Sequence, residues 1–197
     1  MPNGAAVFVQ AAAQLGIREV FTLVGDHLNE VLAACARAGI RIVDMRHESG
    51  ATHAADAWAR IHRRPALSLV TGGPGHTNSL TGIATAYLAA SPLIAVSGSR
   101  ATTLADRQAF QDIDQISMTR GMVKWAAQPP DASQIPFYLG RAWAEANSGR
   151  KGPAHLTIPV DLFTASAEAP ARLPSPSPAS ALAPGAREVE EALGLLR

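Results

Sequence analysis

Residues 66–78 read Ala66-Leu67-Ser68-Leu69-Val70-Thr71-Gly72-Gly73-Pro74-Gly75-His76-Thr77-Asn78: an apolar run of strand type, a glycine-rich turn, and the start of a helix. The same order occurs just upstream. There Ile40-Arg41-Ile42-Val43-Asp44 passes through Met45-Arg46-His47 to Glu48 and the small-residue run Ser49-Gly50-Ala51. Two consecutive strand exits therefore carry residues suited to a ligand. A chain that repeats strand, turn and helix in this way is building a parallel sheet.

Hydrophobic periodicity extends the alternation in both directions. It predicts strands over residues 19–24, 41–45, 66–70, 93–96, 122–126 and 154–158. Between them it predicts helices near 4–15, 28–38, 49–61, 77–90, 114–119 and 133–146, with an irregular stretch over 98–108. The expected fold is α/β: a doubly wound, mostly parallel six-stranded sheet with helices on both faces. In such a sheet the crossovers are right-handed and ligands gather outside the carboxyl ends of the strands. The distinctive loops all fall there: Gly25-Asp26-His27, His47-Glu48, Gly72 to Asn78, and Ser97-Gly98-Ser99-Arg100.

Composition narrows the function classes. At 197 residues with 47% hydrophobic and 17% charged side chains, the chain can bury one proper core. Its 17 basic and 16 acidic residues leave a net charge of +1, without the electrostatic footprint of nucleic-acid binding. Cys35 is the only cysteine, which excludes an internal disulfide and a cysteine-cluster metal site. The start, Met1-Pro2-Asn3-Gly4-Ala5, lacks the basic segment and apolar core of a secretory signal, so a cytoplasmic location is expected. The most apolar window, Tyr87 to Val96, is interrupted by Ser91-Pro92 and falls short of the ~20 residues that span a bilayer.

From about Ala165 the composition turns to Ala, Pro and Ser, with Pro170, Pro174, Pro176, Pro178 and Pro184 close together. The expected organisation is a domain over 1–164, an extended linker over 165–184, and, over 185–197, the first helix of a following domain that the chain does not contain. Val189, Ala192, Leu193 and Leu196 would form the apolar face of that helix.

Three sets of residues carry candidate chemistry. An isolated glutamate in a first helical turn is more often a helix-start residue than a catalyst, because the helix dipole favours negative charge there. Glu48, however, heads a helix whose Ser49, Gly50, Ala51, Ala54 and Ala55 let another surface approach closely. The turn Gly72-Gly73-Pro74-Gly75 can present free N–H groups to an anion, yet it matches neither a dinucleotide fingerprint nor a P-loop, and a plain tight turn competes. Asn78 offers both a donor and an acceptor. Of His27, His53 and His76, whose spacing fits no common zinc pattern, His27 has the best claim, since it follows a strand and its charge can switch near neutral pH.

Taken in order, Val24-Gly25-Asp26-His27-Leu28, Arg46-His47-Glu48-Ser49-Gly50-Ala51, Gly72-Gly73-Pro74-Gly75-His76-Thr77-Asn78, Ala109-Phe110-Gln111-Asp112-Ile113-Asp114-Gln115 and Val123-Lys124-Trp125-Ala126 resemble the N-terminal pyrimidine-binding domain of thiamine-diphosphate enzymes. The likeness is nearest to acetolactate synthase-like proteins and benzaldehyde lyase and runs from about Ala5 to Phe163, through the closing Gly152-Pro153-Ala154-His155-Leu156-Thr157-Ile158-Pro159.

The resemblance implies a role for Glu48: a hydrogen bond to the ring nitrogen of the aminopyrimidine, promoting the imino tautomer that takes the thiazolium proton and leaves a nucleophilic ylid. A ring nitrogen is an acceptor, so its partner must share a proton, and burial favours the protonated form of a carboxyl. Pro74 and Asn78 would line the pyrimidine pocket, with Val24, Gly25, Thr71 and Gly73 around the cofactor. His27 matches the histidine that benzaldehyde lyase-like members hold over the thiazolium, and Gln111 matches a glutamine of both groups. Together they would orient and exchange protons with a substrate oxygen.

Such enzymes hold the diphosphate through Mg²⁺ in a separate domain marked by Gly-Asp-Gly and Asn-Asn, which this chain lacks. The chain would thus need a diphosphate-binding domain of the same or a partner chain and be inactive alone. The expected function is carboligation or lysis at a carbon–carbon bond next to a carbonyl, on a small 2-oxoacid, aldehyde or acyloin, in a homodimer or homotetramer. A 2-oxoacid decarboxylase and a non-catalytic partner domain are the alternatives. The family varies in whether FAD is carried, and these residues do not choose.

Overall fold

The computed structural model describes residues 1–168 and 184–196. Six strands, β1 (Glu19–Thr22), β2 (Arg41–Asp44), β3 (Ala66–Val70), β4 (Leu93–Ser99), β5 (Trp125–Ala127) and β6 (Ala154–Pro159), form one sheet in the order β2-β1-β3-β4-β6-β5. Every pairing is parallel. The expected doubly wound α/β fold is what the chain adopts, with helices on both sheet faces.

The two faces differ in what they bury. On one lie α1 (Gly4–Gln14), α2 (Asn29–Arg37), α6 (Ile135–Asn147) and α7 (Val160–Thr164). Strand alternation sends Leu67 and Leu69, Ile94 and Val96, and Leu156 and Ile158 to this face, where Phe8 and Phe163 meet edge to face at 6.0 Å. The other face carries α3 (Glu48–His62), α4 (Pro74–Leu88) and α5 (Gln115–Thr119). Its core is built from Ala51, Ala55, Ala59, Ala66, Ala86 and Ala95, with Phe21, Ile83 and Leu93 as the larger members. The intervening strand positions Ser68, Ser97, His155 and Thr157 are buried and polar.

Several boundaries move from their expected places. A strand was expected over 122–126, but Arg120–Met122 form a short 3₁₀ turn and β5 begins only at Trp125. As the last strand of the sheet it has a single neighbour, to which Lys124 already donates through Pro153 O at 2.8 Å. β4 continues through Gly98 and Ser99 because β6 pairs with it there, opposite Ile158 and Pro159. α4 starts at Pro74, where a missing N–H and a fixed φ cost nothing. α7 carries no periodicity long enough to be read from sequence. Residues 165–168 still belong to the packed body, since Ser166 bridges Asn3, Ala167 N donates to Pro2 O, and Ala167 is buried. The rest of the expected linker, 169–183, and Arg197 lie outside the described residues. α8 (Ala186–Leu195) is exposed along its length. No helix among the described residues is long and apolar enough to cross a membrane.

Candidate functional site

From β1 the chain steps outward to β2, then returns to β3 on the other side of β1. The loops leaving β1 and β3 belong to this switch point at the carboxyl edge, where open α/β sheets bind their ligands. His27 sits in a 3₁₀ turn, Asp26–Leu28, just after β1, and the glycine turn follows β3. Glu48 opens α3 just after β2.

Glu48 is 8% exposed, and its Oε2 accepts a 3.0 Å hydrogen bond from Asn78 Nδ2. Oε1 has no protein partner among the described residues and lies 3.3 Å from where a Cβ on Gly75 would stand. His47 caps the helix by accepting from Ser49 N at 3.2 Å, which leaves the Glu48 side chain free of capping duty. Thus one carboxyl is buried at the N-termini of two helices and fixed by an amide from the second. Pro74 and Asn78 are exposed on the first turn of α4, beside it.

His27 is 7% exposed and is positioned by β3. Its Nδ1 accepts from Gly72 N at 3.1 Å and lies 2.9 Å from the Thr71 hydroxyl. A backbone N–H can only donate, so Nδ1 is bare and the proton of the neutral ring is on Nε2. Burial pushes the ring's pKa below 6.5, against a smaller raising effect of Asp26. The expectation that His27 changes charge near neutral pH is therefore corrected: it is a neutral donor, because its environment disfavours the cation. Thr71 is spent on orienting His27, and Gly25 packs against Thr71, where a Cβ would lie 2.5 Å from Thr71 Cβ. Val24 is 58% exposed at the rim.

Gly73 has φ +60 and ψ −116, a conformation that glycine alone adopts readily. Gln111 lies directly on it: a Cβ there would stand 2.7 Å from Gln111 Cβ. Gln111 itself has φ +60, as does Asp106, with Gln108 at +50, so three non-glycine residues of this loop are left-handed. Gly98 is required for another reason, since a Cβ would come within 2.2 Å of His27 Cβ.

Sequence reasoning missed Gln115. It is 2% exposed and accepts from Gly73 N at 3.1 Å while donating to Gly98 O at 3.1 Å and to Thr157 Oγ1 at 3.2 Å. One amide thereby ties the glycine turn to β4 and β6. Its only sequence signal was its place at the end of the Ala109–Gln115 motif. Beyond it lies a polar cavity of about 370 Å³ lined by Ser99, Arg100, Asp112, Thr157 and Gln128, with Arg100 and Asp112 paired at 2.9 Å. Glu48, Asn78 and His27 are not in its wall.

The other histidines are structural. His53 sits between Ser49 O at 2.7 Å and Thr85 Oγ1 at 3.3 Å, while His76 is fully buried against Ser97 and Thr119. Burial pushes the Cys35 thiol up to about 11, so it is inert. No group of three or more His, Cys, Asp or Glu side chains among the described residues could hold a metal ion.

Comparison with known proteins agrees with this geometry. Residues 2–118, more than half of the chain, match the family "Thiamine pyrophosphate enzyme, N-terminal TPP binding domain". The 2-hydroxyacyl-CoA lyase 2 of Danio rerio is 44% identical over 146 residues, 74% of this chain and 24% of the relative. That of Homo sapiens is 42% identical over 148 residues, 75% and 23% of the two chains. The acetolactate synthase isozyme 3 large subunit of Escherichia coli (strain K12) is 38% identical over 164 residues, 83% and 29%. The chain thus spans about a quarter of the length of these curated relatives. With its glycine turn and buried glutamate inside the matched span, the chain belongs to the thiamine pyrophosphate enzyme family, as an N-terminal thiamine pyrophosphate binding domain.

Proposed function

We propose that this chain is the half-site that holds the aminopyrimidine ring of thiamine diphosphate in an enzyme that cleaves or forms a carbon–carbon bond beside a carbonyl. The observation that carries the reading is the Glu48 carboxyl, buried at the carboxyl edge of the sheet with one oxygen fixed by Asn78 and the other free for a ligand. Bound thiamine diphosphate supplies a nucleophilic carbon that the twenty amino acids lack. Glu48 would hydrogen-bond the ring nitrogen, and Asn78 fixes the carboxyl for that through Oε2. Pro74 and the Gly73 turn shape the wall, with Gly25 and Thr71 supporting it from behind and Val24 at the rim. His27, kept neutral with its proton on Nε2, donates to a substrate oxygen, and Gln111 stands over the turn as a second polar group.

Names among the relatives include a 2-hydroxyacyl-CoA lyase and an acetolactate synthase, so both cleavage and synthesis are represented. The higher identity to the lyases leads us to favour cleavage of a 2-hydroxyacyl compound over carboligation. The diphosphate and its Mg²⁺ call for hard oxygen ligands, which we assign to a diphosphate-binding domain outside residues 1–197.

Titration of the chain with thiamine diphosphate and Mg²⁺, followed by amide resonances, is the test. Weak binding that shifts Glu48, Gly73 and Asn78 is expected, and Glu48→Gln should abolish those shifts. Tight binding by the chain alone, or shifts indifferent to Glu48→Gln, would overturn the proposal.

A further inference from the structure

Behind the glycine turn, on the polar face of the sheet, four buried side chains and one main-chain carbonyl make contacts that the cofactor reading does not use. His76 Nδ1 lies 2.8 Å from Ser97 Oγ, and Ser97 Oγ lies 3.2 Å from His155 Nε2. On its other side His76 Nε2 is 3.0 Å from Thr119 Oγ1, which is 2.5 Å from Gln115 O. His76, His155 and Thr119 are fully buried, Ser97 is 1% exposed and Gln115 2%.

Hydrogen-bond accounting leaves one arrangement. A carbonyl oxygen only accepts, so the single hydroxyl hydrogen of Thr119 goes to Gln115 O. His76 must then donate from Nε2, and in a neutral ring its Nδ1 is bare. Ser97 gives its hydrogen to that nitrogen, so the same Ser97 oxygen accepts from His155 Nε2–H. His155 Nδ1 is left bare, and it is indeed without a partner among the described residues. With both rings neutral, all four hydrogens point the same way.

We infer that His155, Ser97, His76 and Thr119 form an uncharged, one-directional hydrogen-bond chain that positions the Gly72–Gly75 turn, which makes His76 a positioning residue for the pocket. The chain ends on Gln115, and the Gln115 amide is the group that holds Gly73 N and Gly98 O. His76 itself lies three residues beyond Gly73, in the first turn of α4. The turn is therefore gripped from the Gln115 side and from the His76 side by the same chain.

Neutrality is a condition of the arrangement, since a proton on His76 Nδ1 would reverse the Ser97 bond and one on His155 Nδ1 would leave a buried charge without a partner. The titratable group facing His76 is His155, its ring centroid 4.8 Å away; β4 and α5 contribute hydroxyls and a carbonyl. Glu48 and His27, the other titratable groups at the turn, are engaged with Asn78 and with Thr71 and Gly72. Burial lowers the pKa of His76 to about 4, and burial with the facing ring puts that of His155 well below 6.5.

The purpose assigned to the chain rests on the cofactor reading; its existence does not, and the experiment separates the two. Long-range ¹H–¹⁵N correlation on the labelled full chain at pH 7 should show both rings neutral, with Nε2 protonated and Nδ1 bare. A charged ring or an Nδ1–H tautomer in either one overturns the inference. Thr119→Val, which keeps the shape and removes the acceptor, should mix the His76 tautomers and speed exchange of the Gly73 amide about tenfold, the loss expected of one buried hydrogen bond. Thr119→Ser should restore both. Native Gly73 exchange in a folded Thr119→Val chain would also overturn it; if that variant does not fold, Ser97→Ala carries the same two outcomes. Absence of any shift at Gly73 on adding thiamine diphosphate and Mg²⁺, with the tautomers intact, counts against the cofactor reading and leaves the hydrogen-bond chain standing.

Discussion

The two faces of the sheet are built by different physics. Against α1, α2, α6 and α7 the strands present Leu, Ile and Val, and stability there is non-directional burial of large side chains. Against α3, α4 and α5 they present mainly Ala, Ser, His and Thr beside Phe21 and Leu93, and the helices come close enough that a Cβ on Gly82 would stand 2.7 Å from Thr52 Cβ. The apolar cluster there is the smaller of the two, and buried polar groups must be satisfied one by one. Glu48, the glycine turn and Gln115 all belong to this second side. Apolar packing holds the fold, while directional bonds set where the site's atoms stand.

Substitutions can break or sharpen that contrast. The largest effect is expected on the apolar face, where Phe8→Ala should cost about 3–5 kcal/mol in denaturant unfolding through cavity formation. On the polar face Thr119→Val should cost about 1–3 kcal/mol, because the His76 Nε2–H loses its buried acceptor. If the second variant were the more damaging, the division of labour would be reversed.

Acid should act first on the polar side. The unfolded chain carries ordinary histidines with pKa about 6.5. In the folded chain burial holds His76 at about 4, with His155 and His27 also below 6.5. The unfolded state therefore takes up protons first, so stability is complete above pH 6.5 and is lost as the pH falls toward 4. Urea midpoints measured across that window should fall, and the fall should shrink when His76 is replaced by Gln. The smallest effect belongs to the rim: Asp44→Ala removes a pair with Arg46, whose side chains are 39% and 88% exposed, and should change stability by about 0.5 kcal/mol or less.

Much of the candidate site was legible because strand exits announce themselves. Glu48, Pro74 and Asn78 stand next to glycine or proline punctuation, and the structure brings Glu48 and Asn78 together as their positions after β2 and β3 suggest. Other parts were hidden. Gln115 looks like any polar helix residue until its amide is seen to meet three groups from three segments. The charge state of His27 depends on Gly72 N, a contact across 45 residues of sequence. Thr71 reads as a pocket residue and serves as the support of His27.

What the sequence by itself determined is the alternation of strands and helices, the parallel sheet, and which loops gather at its carboxyl edge, because period and turn chemistry are local properties of the chain. Only the tertiary structure decided which imidazoles are neutral, which nitrogen holds each proton, and which amide grips the turn. Those depend on burial and on single donors and acceptors arriving from β3, β4, β6 and α5, and a hydrogen bond exists only where folding places both of its ends within about 3 Å.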